Sequence, residues 1–163
     1  MQAFAQWLGT TQISHGLQQV IWLIALLQAV HILAIAMVLS SVAMVELRIL
    51  GWTGSQTMAD TARRFMPWIW TGLAVLASTG AVLIVAEPRR TLDNNPAFDI
   101  KMIMLATAVV VTSAFQLSLR SNSAHWEERP VRRTLLSAFA IFTLGLWLAV
   151  AVAGRWIAYV RVE

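Results

Sequence analysis

The chain has 163 residues, of which 58% are hydrophobic and only 12% charged, and it contains no cysteine. Soluble domains average about 25% charged residues, so the composition predicts one integral membrane domain over residues 1–163 and excludes disulfides, thiolate metal sites and cysteine nucleophiles. The formal net charge of +4 does not point to nucleic acid, because the basic residues sit in short clusters between apolar runs, where Lys and Arg meet lipid head groups.

Residues 2–17 mix Phe4, Trp7, Leu8, Ile13 and Leu17 with Gln, Thr and Ser. They predict a short interfacial helix and a turn, too polar to span a bilayer. The first basic residue is Arg48, so no charged leader is expected and no cleavable signal. A first span is expected at about 18–45, running on as helix toward Leu50 until Gly51-Trp52-Thr53-Gly54-Ser55 stops it. Residues 57–64 read as a polar helical lead-in to a second span at about 66–86, with Pro67 suited to a first helical turn. Glu87-Pro88-Arg89-Arg90 closes that span, and Asp93-Asn94-Asn95-Pro96 is a turn. A third span is expected at about 100–119. A polar loop over 121–133 follows, and then a fourth span at about 134–154. The predicted fold is all-α: a four-helix membrane bundle with a short N-terminal interfacial helix.

Four spans put both termini on one side. The two loops opposite hold Arg48, Arg63, Arg64, Arg120, Arg129, Arg132 and Arg133, seven basic residues against five on the terminal side. The positive-inside rule then places both termini outside the cytoplasm. Tryptophans would form belts, Trp7, Trp22 and Trp156 at one interface and Trp52, Trp68, Trp70 and Trp126 at the other. Thr71, Gly72, Ser78, Thr79 and Gly80 on the second span suit close helix packing, within the bundle or at a dimer seam.

His31 lies deep in the first apolar run, where an ionisable group is costly and usually marks a function. Gln28, His31, Ile35, Val38 and Ser41/Val42 share one helix face. Three readings stay open. A neutral imidazole could bond Gln28 or a Thr/Ser hydroxyl of another span, His31 could be the axial ligand of haem b iron, or it could serve as another metal's ligand or in a proton role. His15 lies about 24 Å up a continuous helix and His125 in the opposite loop, so a bis-histidine site would need two chains. Lys101 and Arg155 are expected to snorkel as anchors, or to form a site for an anion or a haem propionate. Glu46 and Arg48 are expected to close the first span as anchors. The methionines lack metal-binding spacing and are expected to fill the core. Nothing resembles a nucleophile–base pair, a phosphate loop or a paired-carboxylate site.

The strings Val30-His31-Ile32-Leu33, Glu46-Leu47-Arg48-Ile49-Leu50-Gly51, Arg64-Phe65-Met66-Pro67-Trp68, Asn95-Pro96-Ala97-Phe98-Asp99-Ile100-Lys101 and Gly154-Arg155-Trp156 resemble a bacterial family of small, uncharacterised four-helix inner-membrane proteins. A looser similarity extends to copper-resistance D-type proteins and to the membrane protoporphyrinogen oxidase, a haem-binding protein. His31, Arg48 and Lys101 match their skeleton. The resemblance implies a multi-pass protein of the bacterial inner membrane. The leading expectation is haem b binding with a redox or electron-transfer role, His31, Gln28, Lys101 and Arg155 forming the site. The alternatives are a non-catalytic subunit that anchors or stabilises a larger complex, and a small transporter. The expected partners are the lipid bilayer and either further copies of the chain or other membrane subunits.

Overall fold

A computed structural model describes residues 2–52, 57–88, 92, 96–127 and 130–156, with the side chains of 2, 21 and 119–133 outside that description. Two short helices, α1 (Gln2–Gly9) and α2 (Gln12–Gln19), lead into four long ones: α3 (Ile21–Ile49), α4 (Met58–Ala86), α5 (Pro96–Glu127) and α6 (Pro130–Trp156). No strand occurs among the described residues. Segments Trp22–Ile49, Met58–Ala86, Pro96–Ser118 and Thr134–Trp156 are each long and apolar enough to cross a membrane. Most of their large apolar side chains face outward, Ile32, Leu33, Ile103, Val110, Leu135 and Ile141 among them. That is the surface a lipid solvent requires.

Local chemistry sets the helix ends. Thr11 caps α2 by accepting from the Ser14 amide. Gly51, at φ 80°, follows the end of α3; its amide reaches the Arg48 carbonyl and that of Trp52 reaches Leu47, a left-handed cap that glycine adopts without steric cost. Thr57 starts α4 by accepting from the Asp60 amide, and Asp60 stands in the first turn, where the helix dipole favours an anion. The lead-in over 57–64 is therefore the first part of α4 itself. Pro67 consequently lies inside the helix and not in its first turn. The polar loop expected from residue 121 is helical up to Glu127: Ser121 to Glu127 contains neither Gly nor Pro, so nothing halts the helix within that stretch. The expected turn at 93–96, the rest of the stop at 53–55 and the side chains of 121–133 fall wholly or largely outside the described residues.

The helix pair α3–α4 is packed most extensively, followed by α5–α6 and then α3–α6, while α4 and α5 touch only thinly. Gly72 permits the close approach of the first pair: a Cβ there would stand 2.5 Å from Val38 Cγ2 and 3.5 Å from the Ala34 carbonyl. Single hydrogen bonds pin the other seams. Trp70 Nε1 donates to Gln116 Oε1 at 2.8 Å between α4 and α5, and Trp147 Nε1 to Thr112 Oγ1 at 3.2 Å between α6 and α5. Such bonds between membrane helices contribute on the order of 0.6 kcal/mol each. Gln18 Nε2 of α2 donates to the Ala86 carbonyl at 2.9 Å and ties the N-terminal helices over the end of α4.

The apolar core is lopsided. Val38, Val42, Val45, Ile49, Met58, Ala62, Met66, Ile69, Ala108, Phe115, Leu136, Ala140 and Trp147 form one cluster, weighted toward the half of the bundle that contains the α3–α4 connection. Toward the other end Trp147 continues it past the middle of α6, the partly buried Leu76, Leu105 and Leu146 pack against it, and Ala34, Ala86 and Val150 are buried. Trp7, Trp22, Trp156, Trp52, Trp68 and Trp70 are all exposed; Trp70 stands near the middle of α4, and the Trp126 side chain lies outside the described residues. Of the methionines, Met66 is buried in the core, whereas Met44 and Met102 are exposed.

Candidate functional site

His31 stands about 15 Å along α3 from Ile21. Its Nδ1 lies 2.7 Å from Thr79 Oγ1 on α4, so of the two partners expected for a neutral imidazole the hydroxyl of another span is the one present. The direction of this bond follows from the threonine. Its hydroxyl has a single hydrogen, and Oγ1 lies 2.7 Å from the Val75 carbonyl, which can only accept. When the Thr79 hydrogen is on the Val75 carbonyl, Oγ1 accepts from His31 Nδ1–H and Nε2 presents a bare lone pair. No hydrogen bond among the described residues reaches Nε2. Histidines that ligate metals have this arrangement, with one ring nitrogen oriented by an acceptor and the other left as donor to the metal.

The imidazole edge lies against Gly80, where a Cβ would stand 3.5 Å from His31 Cε1. Lys101 of α5 is close enough for its charge to act on the imidazole. Its chain crosses the last turn of α6, where a Cβ at Gly154 would meet Cε at 3.4 Å and Nζ at 3.5 Å. Lys101 is only partly exposed, so it lies across the bundle and does not extend outward as an anchor. Four helices thus contribute here: His31, Thr79 with Gly80, Lys101 and Gly154.

The remaining expected site residues are not all drawn in. Gln28, although placed on the His31 face by helical spacing, is exposed. Arg155 is exposed at the end of α6, next to the glycine that Lys101 covers. His15 is exposed on α2, and the His125 side chain lies outside the described residues. Among the described residues no group of three or more His, Asp or Glu could hold a metal ion. Thr79 was not singled out as the partner, although its spacing from Gly72 and Gly80 already put it among the small residues of the second span.

Glu46 overturns an expectation. It is not an anchor reaching to the interface: it is only 5% exposed, and Thr143 Oγ1 of α6, 2% exposed, lies 2.5 Å from its Oε1. The reason is its register. Val42, Val45 and Ile49, neighbours on the α3 face, are all buried against α4 and α6, so position 46 points inward with them. Its Oε2 has no hydrogen-bond partner. Beside it is a cavity of about 10 Å³ lined by Val42, Val45, Met66, Ile69, Thr112, Phe115, Phe139 and Thr143, about the room one water needs.

The family of unknown function DUF6644 matches the chain over residues 4–160. No curated protein and no solved structure matches it.

Proposed function

We propose, on the premise that the chain belongs to DUF6644 and takes no activity from that family, that it is a haem b-binding membrane protein with a redox or electron-transfer role. The observation that carries the reading is the imidazole whose Nδ1 pairs with Thr79 and whose Nε2 has no hydrogen bond among the described residues, with Lys101 near enough for its charge to act on it. An imidazole nitrogen suits the iron and a lysine suits a propionate. The bound group would supply one-electron exchange between a membrane reductant, such as a quinol or a dehydrogenase, and an acceptor.

The chain's own contributions are specific. His31 offers Nε2 as the ligand, Thr79 fixes the ring and its tautomer, and Lys101 offers a cation. Gly80 and Gly154 keep the approaches to both side chains low. With one intramembrane histidine, a second imidazole would have to come from another copy, so a homo-oligomer or a place in a membrane complex belongs to the proposal. So does a location in the bacterial inner membrane with both termini periplasmic.

The test is the absorption spectrum of protein purified after expression with ample haem supply. The parent should show a Soret band and about one pyridine-haemochrome equivalent per ligand site, and His31→Ala should lose both. A parent without haem would move the reading to a non-catalytic membrane subunit.

A further inference from the structure

A second polar site lies in the densely packed half, far along α3 from His31 and independent of it. We propose that the Glu46 carboxyl, with the water-sized cavity beside it, is an intramembrane proton-binding site, and that Thr143 is the hydroxyl that reverses its hydrogen bond when the proton binds.

The geometry serves both protonation states. Thr143 Oγ1 lies 2.5 Å from Glu46 Oε1, but also 3.0 Å from the Phe139 carbonyl and 3.1 Å from the Ala140 carbonyl. One hydroxyl hydrogen cannot serve all three. When Glu46 is ionised, Thr143 donates to Oε1. When a proton from water forms an O–H bond on Oε1, that hydrogen is donated to Thr143 Oγ1, and the threonine turns its own hydrogen to the Phe139 or Ala140 carbonyl. Neither state leaves this end of the carboxyl unpaired, and no side chain has to leave its place.

Oε2 faces the second requirement. It is buried with no protein partner, a costly arrangement for a polar atom unless water supplies the bond. The cavity has room for one water. Thr112 lines it, and its oxygen accepts from Trp147 Nε1, which leaves its hydroxyl hydrogen available to orient that water toward Glu46. One water, one carboxyl and two hydroxyls are too few oxygen ligands for a calcium-like cage, and too little room for one.

Among the described residues no opposing charge lines the site. The cavity receives Met66 and Ile69 from α4, Thr112 and Phe115 from α5, and Phe139 and Thr143 from α6; none of these titrates. On α3 the nearest charged neighbour in sequence is Arg48, which does not line the cavity. Asp60, Arg63 and Arg64 of α4 are exposed.

The test is infrared spectroscopy of the full chain in nanodiscs, titrated from alkaline to acid pH in sodium and in choline buffers. A protonated-carboxyl C=O band should appear as pH falls, shift in heavy water and be absent in Glu46→Gln. Thr143→Val, which removes the reversible partner, should displace both the band and its midpoint. Spectra of parent and Glu46→Gln that titrate identically would overturn the proposal. So would a midpoint that moves with sodium, which would assign the site to a metal cation. Should Glu46→Gln fail to fold, Thr143→Val decides alone, and an unchanged band in that variant rejects the site.

Discussion

A threonine hydroxyl has one hydrogen to give and two lone pairs, and at Thr79 the choice between the Val75 carbonyl and His31 Nδ1 for that hydrogen sets which nitrogen of His31 is bare. Thr79→Val keeps the shape and removes the acceptor, so the ring loses both its orientation and its preferred tautomer. If His31 holds haem, this variant should bind it about 10- to 100-fold more weakly, as loss of a partner behind a metal ligand generally does, with little change in thermal stability; haem titration of the apoprotein measures it. His31 itself was legible in the sequence, because an imidazole inside an apolar run is conspicuous whatever surrounds it. Glu46 was not. It stands three residues before the end of α3, where a carboxylate that reaches for head groups and one turned into the core occupy the same place in a linear pattern. Only the register against Thr143 separates them, and register is a property of two helices together. The path of Lys101 was not legible either, because Gly154, which it passes, comes from the far end of the chain.

At the scale of helices, two glycines should respond oppositely to the same change. Gly72→Ala places a methyl 2.5 Å from Val38 Cγ2 and 3.1 Å from Met37 Cε, at the most extensive helix pair. The α3–α4 seam would have to open, at a cost of about 1–3 kcal/mol. Gly145→Ala on α6 meets nothing within 4 Å, and alanine is the better helix former by up to about 1 kcal/mol. Thermal unfolding in one detergent should therefore show the first variant destabilised and the second unchanged or slightly more stable. The four long apolar runs were readable because each is about as long as a bilayer is thick. Their limits were less so. Pro67 looked like a start signal, but the Thr57 cap begins α4 well before it. The string from Ser121 to Glu127 looked like a loop by polarity, although backbone continuity depends on breakers and not on polarity, and the helix persists.

At the scale of the molecule, four crossings would place both chain ends on one side, and the larger basic count at the opposite loops predicts that this side is the periplasm. A reporter active only in the periplasm, fused after Glu163, should give signal, and a cytoplasm-dependent reporter at the same position should give none. Reversing the two signals would invert the topology and move Lys101 to the cytoplasmic half. The margin of seven basic residues to five is small enough that adding two arginines to the terminal side should visibly mix the orientations.

The uneven core also bears on the order of assembly. The cluster from Val38 to Trp147 draws on all four long helices, so the chain can close its bundle around that cluster alone. The half containing His31 and Lys101 contributes little to that closure. If His31 holds haem, the group can arrive after folding, and its loss would leave behind an intact, refillable bundle rather than a misfolded chain marked for destruction.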